Sequence, residues 1–381
     1  MINERINDMS KVVYLMGAGA SYGKREDHKD GTKDSISEGI PIVREFIEQL
    51  EYVMSIYSGF NFKDNPFHIL SSIKINLIDA QNELLHDFQW LIDNTKRHAT
   101  VDTFAKKLFL TNQENDYFKL KRILSIFLMT EQFIHKPDSR YDTFLANVLQ
   151  RKANGKLRIS DDITILTWNY DSQFEIAYKE YLQKDSNPEP LLFPEQLGID
   201  IHNQDVNFPK PDAFVDDGTR QIFKINGSAS FVSEYSMAHY YEYHEGVLEE
   251  ERAKSFLWTY YVPYYLNDDG NDPHKRCLLN FAWEKQKDEF EKQYYNRLNS
   301  AISDATTLVV IGYTFPFFNR EIDAKLLWSM PDLRNVYIQD PKADNVKQSF
   351  TTVMQKANRT ISSNGIHTIF DTEQFYLPAE L

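Results

Sequence analysis

The chain is poor in cysteine: Cys277 is the only one in 381 residues. A lone cysteine excludes an internal disulfide and a structural zinc site built from four cysteines. The ten histidines show no Cys-x-x-His or His-Glu-x-x-His spacing, so no zinc is expected. Positive charge is also scarce. Lys and Arg number 42 against 56 Asp and Glu, a formal charge of −14. Broad contact with a nucleic-acid backbone needs clustered Lys and Arg, so no direct nucleic-acid binding is expected. No apolar run approaches the roughly 20 residues that span a bilayer. The polar, charged start Met1–Asp8 is unlike a secretory signal. Internal repeats and low-complexity tracts are lacking too. These absences lead to the expectation of a reduced, cytoplasmic protein away from membranes.

What is present is a supply of apolar side chains: 42% of residues are hydrophobic, with 26 Phe and 22 Tyr. The length allows one large domain with an insertion, or two domains. Five short apolar runs read as buried strands, and each ends in a polar or glycine turn. Val12–Met16 leads into Gly17-Ala18-Gly19-Ala20-Ser21. Ile163–Thr167 leads into Trp168-Asn169-Tyr170-Asp171. Gln221–Ile225 leads into Asn226-Gly227-Ser228. Thr307–Ile311 leads into Gly312-Tyr313, and Val336–Ile338 into Gln339-Asp340. His367–Phe370 reads as a last edge strand.

Helical spacing lies between these runs. Pro41 opens a helical pattern, and 42–150 reads as a helical insertion in which Gly and Pro are sparse. The polar run Lys24–Ser37 reads as a loop over the glycine turn. The stretch Lys184–Gly218, rich in Pro, Asn and Asp, reads as an irregular connection, and 233–299 as mixed loops and helices. Strands alternating with helices predict an α/β, doubly wound (Rossmann-like) parallel sheet carrying a large helical insertion. Its core is expected from 11–41, 160–232 and 300–345.

In such a sheet, ligands bind at the carboxyl ends of the strands. The residues expected to gather there are Gly17–Ser21, Thr167, Asn169, Asp171, Asn226, Gly227, Ser228, Gly312, Tyr313 and Asp340. Glycines let a backbone approach a ligand without an intervening Cβ. Backbone amides and hydroxyls suit a pyrophosphate, and an acidic residue at a strand end suits ribose hydroxyls. Any one of these motifs alone is better explained as an ordinary turn or helix cap; five in the right order favour a site.

Four of the motifs, in this order, resemble those of the sirtuin-like domains, in particular the bacterial NAD-hydrolase branch that acts in antiphage defence. Gly17-Ala-Gly-Ala-Ser21 matches that family's Gly-Ala-Gly-Ala-Ser. Thr167-Trp-Asn-Tyr-Asp171 matches Thr-x-Asn-Tyr-Asp, and Lys224-Ile-Asn-Gly-Ser228 matches Lys-Leu-His-Gly-Ser. Ile311-Gly-Tyr-Thr-Phe-Pro316 matches Ile-Gly-Tyr-Ser-Phe-Pro. The resemblance covers the α/β core and not the helical insertion. It implies a single sirtuin-like domain over 1–381 that binds NAD and cleaves the nicotinamide–ribose bond, depleting NAD in abortive infection. It also implies assembly with itself or with a partner defence protein such as a ring ATPase, an Argonaute-type protein or a nucleotide-processing enzyme. Gly17, Ala18, Gly19, Ala20 and Ser21 would cradle the pyrophosphate. Ser228 and Gly312 would line the adenosine side. Asn169 would position the attacking water or the ribose, with Asp171 holding that turn.

One departure matters. The family places a histidine where this chain has Asn226, and an amide takes no proton near neutral pH. Loss of a general base typically costs about 10²–10⁴ in rate. Three explanations follow. The chain is an inactivated form of the enzyme; it uses another base, for which His28 and His202 are candidates although each reads first as a solvated loop residue; or it binds NAD or ADP-ribose as a non-catalytic sensor or scaffold.

Overall fold

The structure, a computed structural model, describes residues 11–26, 35–62, 67–70, 73–75, 77–98, 100–153, 155, 157–181, 198–202, 220–231, 248–257, 261–262, 277–284 and 289–381. The chain folds as two compact units. The first comprises 1–23, 138–227 and 280–381, and the second 24–137 and 228–279. The helical insertion expected over 42–150 thus divides differently: 138–150 packs with the first unit, and 24–41 with the second.

The first unit is a doubly wound α/β domain. Its seven strands are β1 (Lys11–Met16), β2 (Ile163–Thr167), β3 (Ile199–Ile201), β4 (Ile222–Lys224), β5 (Ala305–Ile311), β6 (Asn335–Gln339) and β7 (Ile366–Ile369). They lie in the order β7-β6-β5-β1-β2-β4-β3, and every pairing is parallel. All five expected runs are strands of this sheet, and Ile366–Ile369 closes one edge. β3 corrects the reading of 184–218 as wholly irregular: Ile199, Asp200 and Ile201 pair with Ile222, Phe223 and Lys224.

Parallel strands joined by crossovers are buried on both faces, and the side chains alternate accordingly. Val13, Leu15, Leu308, Val310, Val336 and Ile338 point to one core, shared with Leu298, Leu327 and Phe350 from the helices Glu289–Ile302, Arg320–Trp328 and Ala343–Lys356. Tyr14 points to the other face, edge-on to Phe144 at 4.9 Å. There the helices Ser139–Val148 and Gln173–Lys179 meet through Tyr141, Phe144 and Phe174.

The second unit is mainly helical, with helices Phe46–Gly59, Leu77–His98, Val101–Leu110, Glu114–Ile134 and Glu250–Phe256. The helix expected from Pro41 begins at Phe46 instead. The Glu45 carboxylate accepts from the Ile42 amide at 3.1 Å and pairs with Arg25 at 2.8 Å, which holds 42–45 in a turn. Of the expected loop 24–37, Arg25–Glu26 and Ser35–Ile36 form a short antiparallel pair; the part between them lies outside the described residues. Among the described residues, no helix is long and apolar enough to cross a membrane.

Candidate functional site

Register places the strand ends in one row. Ile201, Lys224, Thr167, Met16, Ile311, Gln339 and Ile369 are successive partners across the sheet. Every turn singled out in the first unit therefore starts at the same level, along one carboxyl edge. The chain runs from β1 towards β2, β4 and β3, then returns to β5 on the other side of β1. The reversal lies between β1 and β5, which is where ligands bind in open α/β sheets.

The turns that follow β1 and β5 interlock at that point. The Gly17 amide donates to the Ile311 carbonyl, and the Gly19 amide to the Gly312 carbonyl, both at 3.0 Å. A Cβ on Gly17 would lie 2.7 Å from the Gly312 carbonyl oxygen, and one on Gly19 would lie 2.7 Å from the Gly312 Cα. Gly312 has φ +58°, and its Cβ would fall 2.4 Å from the Gly19 backbone. All three glycines are thus required by backbone packed on backbone. Ala18 is exposed at the crest of the turn, whereas Ala20 is buried beneath it.

The Asn169 turn joins the same structure. The Thr167 hydroxyl accepts from the Asn169 amide at 3.0 Å. The Asn169 side-chain amide donates to the Gly17 carbonyl at 2.9 Å and to the Ser21 hydroxyl at 3.1 Å. Ser21, fully buried, also shares a 2.9 Å hydrogen bond with the Tyr141 hydroxyl. Its side chain, expected to face a pyrophosphate, therefore ties β1, β2 and the helix Ser139–Val148 together.

Neither family models nor curated proteins match this chain. What the edge can do must be read from its own geometry.

Beneath the Asn169 turn lies a buried charge cluster. Asp171 accepts from the Gln173 amide at 3.0 Å, which starts the helix Gln173–Lys179. Lys224, only 1% exposed, donates to the Asp171 carbonyl and to the Glu175 carboxylate at 2.8 Å. Burial pushes the Asp171 carboxyl up to about 6, against the opposing pull of Lys224. The Lys224–Glu175 pair joins β4 to this helix. Lys224 stood in a recognised motif, but nothing in the sequence assigned it this role.

Asn226 is buried next to β4. Its side-chain amide donates to the Trp168 carbonyl at 3.3 Å, and its own carbonyl accepts from the Asn280 amide at 2.8 Å. Gly227 follows at φ +70°. Tyr313 stacks on Trp168 with ring centroids 5.8 Å apart and planes 12° apart, and its hydroxyl donates to Asp323. Burial pushes the Asp323 carboxyl well above its usual range. Asp340 lies one strand further along, after β6, and its carboxylate accepts from the Lys342 amide at 2.7 Å. Ser228 is buried in the strand Gly227–Phe231 and falls in the second unit.

Of the two alternative bases, His28 lies outside the described residues. His202 departs from its reading as a solvated residue. It is 3% exposed, directly after β3, with its ring 4.9 Å from that of Tyr294 and its Nδ1 2.9 Å from the Asn280 side-chain amide. Asp138 and Arg140 escaped sequence reasoning, because Asp-Ser-Arg at a helix start reads as an ordinary cap.

Proposed function

We propose that the carboxyl edge binds NAD and that the chain is an NAD-hydrolysing effector that breaks the nicotinamide–ribose bond. The observation that carries this reading is the bond from the Asn169 side chain to the Gly17 carbonyl. It joins the glycine turn, which lies at the reversal point of the sheet, to the Asn–Asp turn after the neighbouring strand β2. Phosphates suit the glycine turn, and the ribose suits the polar turn beside it.

The chemistry asks little of the protein. Nicotinamide leaves as a neutral amine from a cationic ring, so no acid is required, and the ribose passes through an oxocarbenium-like state. Both amide protons of Asn169 are committed to Gly17 and Ser21. Its Oδ1 is the atom that would orient an attacking water or a ribose hydroxyl. Asp171, braced by Gln173 and Lys224, fixes that turn. In this reading the trigger comes from a second copy or from a partner defence protein, in the cytoplasm.

The test is to measure NAD binding by calorimetry and nicotinamide release by chromatography, for the chain as it stands and for Asn226→His. The expected result is binding by both and release by the His form. If both bind and neither releases nicotinamide, even when purified together with their cellular partners, the hydrolase reading fails. A specific observation favours the alternative in that case: Asn226, bonded through its amide to the Trp168 carbonyl, offers no proton acceptor near pH 7. The chain would then be a non-catalytic NAD or ADP-ribose sensor or scaffold. Absence of binding would overturn both readings.

A further inference from the structure

The glycine turn has a support that no motif marks. Arg140 Nη2 donates to the Gly19 carbonyl at 2.8 Å, and Nη1 to the Thr372 carbonyl at 3.1 Å. Its Nε and Nη2 bond the Asp138 carboxylate. Asp138, 1% exposed, also accepts from the Gly23 amide at 2.7 Å. One Arg–Asp pair thus holds the turn at two points four residues apart. The Asp138 amide donates to the Gln173 side-chain carbonyl at 2.7 Å, and the Gln173 amide donates to Asp171. The same chain of bonds therefore reaches the Asn169–Asp171 turn.

The far side of the guanidinium is tied to the end of the chain. Its central carbon, Cζ, lies 4.9 Å from the ring centroid of Phe375, which is buried against Tyr141 and Phe144. Gln339, the last residue of β6, donates to the carbonyls of Asp371 and Gln374 and accepts from the Tyr376 amide. Segment 371–376 is thereby strapped to the carboxyl edge.

We propose that Arg140, paired with Asp138, is the positioning residue of the nucleotide-binding turn, and that it makes the C-terminal segment 371–376 part of that turn's support. Four of its five N–H donors are already engaged, and Asp138 neutralises its charge, so it orients the turn rather than binding phosphate directly. The planar fork spreads its donors over three nitrogens and so spans Asp138, Gly19 and Thr372 from one position, whereas a lysine has its three donors on a single nitrogen. The inference rests on the NAD reading for its ligand, but not for the geometry of the turn.

The test compares the full chain with Arg140→Ala and Arg140→Lys. NAD affinity is measured by calorimetry, and amide exchange is followed over 17–23 and 371–376. The expected result is a loss of affinity of about tenfold or more in both variants. Exchange should rise in those two segments well beyond any rise in the strands of the sheet. The midpoint of thermal unfolding should fall, more in Arg140→Ala, which leaves the buried Asp138 without a cation, than in Arg140→Lys. Guanidinium ion at sub-denaturing concentration should restore part of the affinity to Arg140→Ala and none to the native chain. Native affinity and native exchange in Arg140→Lys would overturn the proposal, and so would exchange that rises uniformly across the sheet. If Arg140→Ala fails to fold, Arg140→Lys, which keeps the charge, decides on the same readings. If the native chain binds no NAD, the functional reading fails, and exchange at 17–23 judges the clamp by itself.

Discussion

The two units bury polar groups for different ends. In the helical unit, buried charges staple one helix to another or brace a helix end. Asp87, on the helix Leu77–His98, takes Lys119 at 2.9 Å, Arg122 at 3.6 Å and the Tyr261 hydroxyl at 2.9 Å. Glu131 and His135 pair at 3.3 Å one turn apart, and burial pushes the Glu131 carboxyl up. In the α/β unit, bonds of the same kind form a row along one edge of the sheet and pass from turn to turn. Buried polar chemistry is therefore not in itself the mark of a site. Its alignment at the strand ends, at the point where the strand order reverses, is what distinguishes the α/β unit.

Four perturbations test that contrast, from the strongest to the weakest. Gly312→Ala forces a Cβ into the Gly19 backbone at a positive φ. It should cost about 4 kcal/mol in urea unfolding and abolish NAD binding. Lys224→Met leaves Glu175 and the Asp171 turn without their cation and should cost about 3 kcal/mol. A loss of binding well beyond the loss of stability would confirm that the edge behaves as a unit. Asp87→Ala should cost about 2 kcal/mol yet leave NAD affinity unchanged; a changed affinity would erase the distinction between the units. Gly59→Ala, where a Cβ would meet nothing within 4 Å, should leave stability unchanged or raise it by about 0.5–1 kcal/mol.

A pH experiment sharpens the same contrast. Asp171 is raised from its ordinary 3.8 to about 6 in the folded chain, so the native state holds its proton more tightly than the unfolded state does. The stability it contributes is complete below the unfolded value and is lost as pH rises through about 6. Unfolding free energies from urea titrations between about pH 4 and about pH 7 should fall by on the order of 2 kcal/mol from this group. Asp171→Asn should flatten that part of the profile, and an unaltered slope would assign the titration to another group.

The sheet was legible because its strands are apolar runs closed by glycine or polar turns. β3 was not, because Ile199–Ile201 is three residues long within a tract of Asp, Asn and Pro, and it gains its identity only by pairing with β4. The gathering of Gly17, Gly19, Asn169 and Gly312 was anticipated from their positions after strands. The reason for the glycines was not: the expectation was close approach to a ligand, and the structure shows close approach of one turn to another. The hydroxyl of Ser21 looked available and is spent on Asn169 and Tyr141. Arg140 and Gln173 carry no local signature, since their partners lie 121 and 35 residues away along the chain.

The stacked pair of Trp168 and Tyr313 gives this edge an optical signature. The indole is 4% exposed and lies nearly parallel to the phenol ring, between the turn after β2 and the turn after β5. Aromatic chromophores held rigidly in a chiral setting give near-ultraviolet circular dichroism, and the signal changes when their relative orientation changes. The chain has five tryptophans, so the part of the indole-band dichroism lost in Trp168→Phe is what reports whether the two turns are closed on each other, with no label attached and no ligand added.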